Sequence, residues 1–126
     1  MKIRNISSAT PQNPIIIAEI GVNHNGSLQH AKELIDAAKS SGSHAVKFQY
    51  FKSENLAKCN PKKVTYQTKN EGDNRSHFEM LQALEFNLEQ HAEACAYSHN
   101  QGILFGTTIY DSRDCDDLEK LNLDFI

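Results

Sequence analysis

The sequence predicts an α/β fold built on a parallel sheet, either doubly wound or rolled into a barrel. Three observations carry that prediction. Ile15 to Ile20 is an almost unbroken apolar run of β-branched isoleucines, the pattern of a strand covered on both faces. A helical pattern and a second short apolar run, Ala45 to Gln49, follow it, and strand, helix, strand with short loops is a right-handed βαβ crossover. The alternation then recurs, so that three βα units and the opening of a fourth can be read along the chain.

Each element has its own justification. Met1 to Asn13 is a polar lead, with a short strand expected at Lys2 to Ile6 and ended by Pro11 and Pro14; residues 14–126 form the folded unit. After the first strand comes a loop, Gly21 to Gly26, and Ser27 is placed to cap a helix. Leu28, Ala31, Leu34, Ile35 and Ala38 share one face of that helix, which stops at Ser41-Gly42. Tyr50 to Ser76 has no sustained period beyond a short turn near Ser53 to Leu56, and a loop of that length is usually functional or disordered. Helical pattern resumes at His77 to Leu84 and at Leu88 to His99, where Asn87 and Gln90 have capping-box spacing. Ile103 to Thr107 reads as strand three and Thr108 to Asp111 as a loop. Asp111 or Ser112 then caps a helix with Leu118 and Leu121 on its apolar face, and Leu123 to Ile126 starts a fourth strand.

Composition narrows the function. The chain has 126 residues, 39% of them hydrophobic, enough for one domain with a core. With 13 basic against 16 acidic residues and no basic run, neither a nucleic-acid surface nor an anionic membrane surface is expected, and small-molecule partners are. Cys59, Cys95 and Cys115 form no C-x-x-C pair and read as free thiols of a reducing compartment, so a cytoplasmic location is expected. No signal-type segment and no apolar run approaching ~18 residues is visible.

Candidate chemistry sits at the carboxyl ends of the strands, where α/β proteins open into a cleft. Glu19 closes an apolar strand, where desolvation would raise its pKa and suit it to general acid or base work. The plainer reading is a carboxylate satisfied by a neighbouring lysine or by backbone donors. Lys47 interrupts the second apolar run and can hold a phosphate or carboxylate, or simply pair with Glu19. Gln49 points to the same side as Lys47. Thr107 and Thr108 end strand three with hydroxyls suited to phosphate oxygens or to capping a loop. Asn23 and His24 lie in the loop after Glu19 and could orient a substrate; a turn role for Asn23 and Asn25 fits as well. His30, His44, His77, His91 and His99 have no metal-motif spacing and read as surface or helix-end residues. Zincin, Gly-rich phosphate-loop and nucleophile-elbow motifs are all missing.

Ile17-Ala18-Glu19-Ile20-Gly21-Val22-Asn23-His24-Asn25-Gly26, then Ala45-Val46-Lys47-Phe48-Gln49, Phe51-Lys52-Ser53-Glu54-Asn55-Leu56 and Phe78-Glu79-Met80-Leu81 together resemble the sialic acid synthase family. That family includes legionaminic and pseudaminic acid synthases and spore-coat polysaccharide synthases. The resemblance runs from about Pro14 to the end of the chain. It implies that the chain is the N-terminal portion of a (β/α)8 TIM-type barrel, about three βα units and the start of a fourth strand. A whole barrel needs ~250 residues, and an antifreeze-like domain normally follows it in the family. The implied reaction condenses phosphoenolpyruvate with an N-acyl hexosamine such as N-acetylmannosamine, using a divalent metal, manganese or magnesium.

By resemblance, Glu19 is the strand-one glutamate near the sugar, Lys47 a lysine of the phosphoenolpyruvate site, and Thr108 the phosphate threonine of an S-T-P-F segment. That segment reads Thr107-Thr108-Ile109-Tyr110 here. A long-loop asparagine also contributes in the family, and Asn70 and Asn74 both lie near the matching place; Asn74 is taken with Gln49 and Asn23 as substrate-binding. The metal-ligating histidines belong to later strands and a strand-four lysine falls just after Ile126, so the chain alone is expected to be inactive and to hold no metal. A homodimer is expected. The alternative is a non-catalytic half-barrel that associates with itself to cover its open edges.

Overall fold

A computed structural model describes residues 14–59 and 76–126. The expected strand at Lys2 to Ile6, Asn70 and Asn74 lie outside those residues. In chain order the elements are β1 (Ile17–Gly21), α1 (Leu28–Ser40), β2 (Ala45–Tyr50), α2 (Ser53–Cys59), α3 (His77–Leu84), α4 (Leu88–Asn100), β3 (Leu104–Ile109), a 3-10 turn (Ser112–Asp114) and α5 (Cys115–Leu118). The short turn expected near Ser53 is thus the start of a helix. β3 runs further than expected, which puts Thr108 in the strand and not in the loop after it.

The strands form one parallel sheet in the order β1-β2-β3. Ile17 pairs with Ala45, Glu19 with Lys47, and Gly21 with Phe48 after a bulge; Lys47 then pairs with Gly106, Phe48 with Thr107 and Gln49 with Thr108. A lone parallel bridge from Gly106 to Phe125 marks the beginning of the expected fourth strand. The Phe125 ring occupies the space that a Cβ on Gly106 would fill, so a glycine is required there for this close approach.

Ser27 caps α1 by accepting from the His30 amide, and Asn87 with Gln90 closes a capping box on α4, both as the sequence predicts. Ser76 and Glu79 make a second box on α3. It was legible as S-x-x-E before an apolar run. α1 buries Ala31, Ile35 and Ala38 and α4 buries Ala94 and Cys95 against Val46, Phe48 and Phe105 of the sheet, with Ile20, Phe86 and Ile103 completing the core. Each fully buried phenylalanine there contributes about 1.5–3 kcal/mol.

One expectation about β1 is corrected. Its apolar run predicts cover on both faces, yet only Ile20 and Gly21 are buried, and Ile16 just before it is 52% exposed. Among the described residues β2 is the only strand paired with β1, so no described neighbour covers its other edge.

Candidate active site

Side chains alternate across a strand, so the register divides the sheet's residues into two sets. Ala18, Val46, Phe48, Phe105 and Thr107 face the helices; Glu19, Lys47, Gln49, Gly106 and Thr108 face the other way. Four of the candidate residues therefore lie side by side on the helix-free set, near the carboxyl ends of the three strands.

Glu19 Oε2 and Lys47 Nζ are 2.6 Å apart, with Lys47 33% and Glu19 49% exposed in their side chains. The ion pair is the plainer of the two sequence readings. Gly21, in the left-handed region at φ +56, sits beneath the two polar ends: a Cβ there would lie 3.4 Å from Gln49 Nε2 and 3.5 Å from Glu19 Oε1. Gln49 and Thr108 are neighbours in the ladder and both are half-buried. The arrangement offers a carboxylate, an ammonium, an amide and a hydroxyl in one row, a set suited to a polyoxygenated anionic substrate.

Three other candidates fall elsewhere. Asn23 is exposed, and its backbone N–H and Nδ2 both donate to the Ile20 carbonyl, at 3.0 and 2.9 Å, which is the turn role. Asn25 shares it, at φ 50. Thr107, weighed beside Thr108 at the sequence level, is fully buried on the helix side, and its Oγ1 has no hydrogen-bond partner. His24 does not line the polar row; it is fully buried, 4.2 Å from the Phe86 ring centroid and 5.8 Å from that of Phe48.

His91 is a correction. Expected at the surface or a helix end, it is fully buried, edge-on to Tyr50, Phe86, Phe48 and Phe105. It lies in the first turn of α4 on the inward stripe with Ala94 and Cys95, and that spacing was the available signal. Burial pushes the imidazoles of both His24 and His91 down to about 4.

Beyond the strand ends lies a cluster that the sequence reading missed. Lys52 pairs with Asp114 at 3.2 Å and Asp117 at 2.7 Å, and the Tyr50 hydroxyl donates to Asp117 at 3.3 Å. Hydrogen bonds from Lys52 and Lys120 hold the Asp117 carboxyl down to about 2, and the Lys52 ammonium is shifted up by the same contacts. Asp114 and Asp117 fall three apart in a short helical segment, but nothing in the letters ties them to a lysine sixty-odd positions earlier. At the opposite end of β3, Cys95 Sγ stands 4.0 Å from His99 Nδ1 while His99 Nε2 meets Asp124 at 2.8 Å. Burial first, and then the Asp124 charge, push the Cys95 thiol up to about 11, so this set lacks a nucleophile.

Among the described residues no group of three or more His, Cys, Asp or Glu side chains could hold a metal ion. The polar row does not suit one: its single carboxylate already has an ammonium against it. No helix of the described residues is long and apolar enough to cross a membrane.

A parallel α/β sheet with helices on one face and a charged row near its strand ends on the other is the class of fold whose strand ends open into a cleft. The NeuB family model matches residues 34–126, and the chain belongs to that family. It is 45% identical over 108 residues to the N,N'-diacetyllegionaminic acid synthase of Legionella pneumophila, covering 86% of this chain and 30% of that protein. It is 38% identical over 112 residues to the human N-acetylneuraminate-9-phosphate synthase, covering 87% of this chain and 30% of that one. Among solved structures, the N-acetylneuraminic acid synthetase of Leptospira borgpetersenii, in complex with citrate, superposes with a TM-score of 0.68 at 28% identity, covering 86% of this chain and 33% of that one. The spore coat protein SpsE of Bacillus subtilis gives 0.67 at 28% identity, covering 99% and 32%. The chain spans about a third of the length of these relatives.

Proposed function

We propose that this chain is the N-terminal portion of the (β/α)8 catalytic barrel of a nonulosonic acid synthase, which condenses phosphoenolpyruvate with an N-acyl hexosamine such as N-acetylmannosamine. The observation that carries the reading is the Glu19–Lys47 pair, at 2.6 Å, in a row with Gln49 and Thr108 on the sheet face that α1 and α4 leave free. Membership of the NeuB family supplies the reaction class.

In the reaction, carbon three of phosphoenolpyruvate attacks the sugar aldehyde carbon and the aldehyde oxygen becomes a hydroxyl. Water adds to carbon two of the resulting oxocarbenium and loses a proton; phosphate leaves, and the 2-keto acid remains. Glu19 takes up and returns protons at the hydroxyls around it. Lys47 and Thr108 hold the phosphate or carboxylate oxygens, by charge and by hydroxyl donation. Gln49 reads a sugar hydroxyl beside Glu19, and Asn74 is a further substrate contact by resemblance to the family. Asn23 fixes the turn that follows Glu19 through its bonds to the Ile20 carbonyl. The divalent cation, manganese or magnesium, falls by resemblance to histidines of later strands, and no step here depends on it.

Complementation tests the reading. The chain is mixed with the Legionella legionaminic acid synthase lacking the segment this chain matches, and 2-keto acid product is measured from phosphoenolpyruvate and the N-acyl sugar. Activity is expected in the mixture and in neither part alone. It falls about 100-fold in the mixture when the chain carries Lys47→Met, the scale of losing one positioned charge at a reacting centre. A mixture that associates yet forms no product contradicts the proposal, and product from the chain alone contradicts its expected inactivity.

A further inference from the structure

His24 has no part in the chemistry proposed above, yet it is among the most completely buried side chains in the molecule. Its Nδ1 accepts from the Gly26 amide at 3.0 Å, which leaves the ring proton on Nε2. The ring packs beside Phe86 and Phe48, which also stack on each other, their centroids 5.9 Å apart. Phe48 lies between Lys47 and Gln49 in β2 and points to the opposite face. Gly26 is held from two sides. Its carbonyl accepts from Gln90 Nε2 at 3.1 Å, and a Cβ added to it would come within 2.6 Å of the Ala83 carbonyl. The link from α3 to α4 also grips the far side of the site, because Glu85 accepts from the Ser53 amide at 2.8 Å just after β2.

The loop from Gly21 to Gly26 is thus anchored at one end by His24 and at the other by the β1 bulge. The bulge leaves Ile20 unpaired between Glu19 and Gly21, and Gly21 just after it lies close to both polar ends, a Cβ there coming 3.5 Å from Glu19 Oε1 and 3.4 Å from Gln49 Nε2. We propose that His24 is a positioning residue for the Glu19–Lys47 pair: through Nδ1 it fixes the loop after β1 against Phe48 and Phe86, and so sets the bulge that holds Glu19 in register with Lys47. The inference rests on the reading of that pair as the working pair, but it is tested by geometry and not by turnover, so either can fail without the other.

The test is zero-length carbodiimide cross-linking of the 126-residue chain, read by mass spectrometry. Glu19–Lys47 reports the site, and Lys32–Glu93, also 2.6 Å apart but on the outer surface between α1 and α4, reports the fold. Two variants separate packing from positioning. His24→Phe keeps an aromatic ring there without an acceptor, and His24→Asn restores an acceptor for the Gly26 amide. The expected result is a loss of the Glu19–Lys47 link of about tenfold or more in H24F, a scale consistent with a displacement near 1 Å, with the Lys32–Glu93 link unchanged and H24N returning the site link to near the parent level. Retention of the site link in H24F overturns the proposal. So does loss of both links together, which a residue that only supports the core would give, and so does an H24N chain that behaves like H24F.

Discussion

At the residue scale, charge pairs of similar geometry have different consequences because their burial differs. Glu19–Lys47 is open to solvent on both sides, and exposed pairs contribute about 0–1 kcal/mol. Glu19→Gln should therefore leave the urea midpoint nearly unchanged while removing most activity from the complemented enzyme. A large loss of stability would mean that the pair is structural. Lys52 is the opposite case. Its partner Asp114 has a side chain only 2% exposed, with one oxygen lacking any hydrogen-bond partner, so Lys52→Met strands a buried carboxylate and should cost about 1–3 kcal/mol. The double variant K52M/D114N should recover part of that loss in the same denaturation experiment. Lys47 was legible in the sequence because a lysine inside an apolar run needs a reason. Lys52 was not, because its partners lie more than sixty residues away and in no strand.

At the element scale, the caps and the turn chemistry were written locally and came out as read: Ser27, Asn87 and Gln90 all make the bonds their spacing implies. Strand ends were less legible, since Thr107 and Thr108 look alike in the letters and only the register with Phe48 and Gln49 sends one into the core and the other to the polar row. A shift of one residue would exchange them. The loop after β1 depends on glycine where the chain crowds α3. Gly26 has φ +73 and the Ala83 carbonyl in the way of any Cβ, so Gly26→Ala should destabilise by about 1–3 kcal/mol and, if the loop positions Glu19, weaken the Glu19–Lys47 cross-link as well. Gly42 also has positive φ, at +82, but open space around it. Its alanine variant should cost only the backbone strain, about 1 kcal/mol, and comparison of the two in urea isolates the steric part.

For the whole molecule, the parallel α/β class was readable from three βα units, and the family from its sequence blocks. The exposure of β1 was not, because an apolar run reports what a strand is suited to pack against and not which partner stands beside it. The two buried histidines give the molecule a pH dependence. Both imidazoles are held to about 4 by burial, against about 6.5 in an unfolded chain. The unfolded chain therefore binds protons first as pH falls. Stability from these groups is complete above about 6.5 and is lost as pH drops towards 4, at up to about 1.4 kcal/mol per pH unit for each histidine. Urea midpoints measured across that window should fall steeply, and His91→Phe should flatten the slope; an unchanged slope would place the titration elsewhere. The central claim is that Glu19 and Lys47 belong to one wall of a phosphoenolpyruvate-condensing site. The most direct measurement is 2-keto acid formation by the mixture of this chain with the truncated legionaminic acid synthase, with and without Lys47→Met. Product in the parent mixture and about 100-fold less in the variant is the predicted result; equal rates in the two mixtures, or none in the parent mixture despite association, would contradict it.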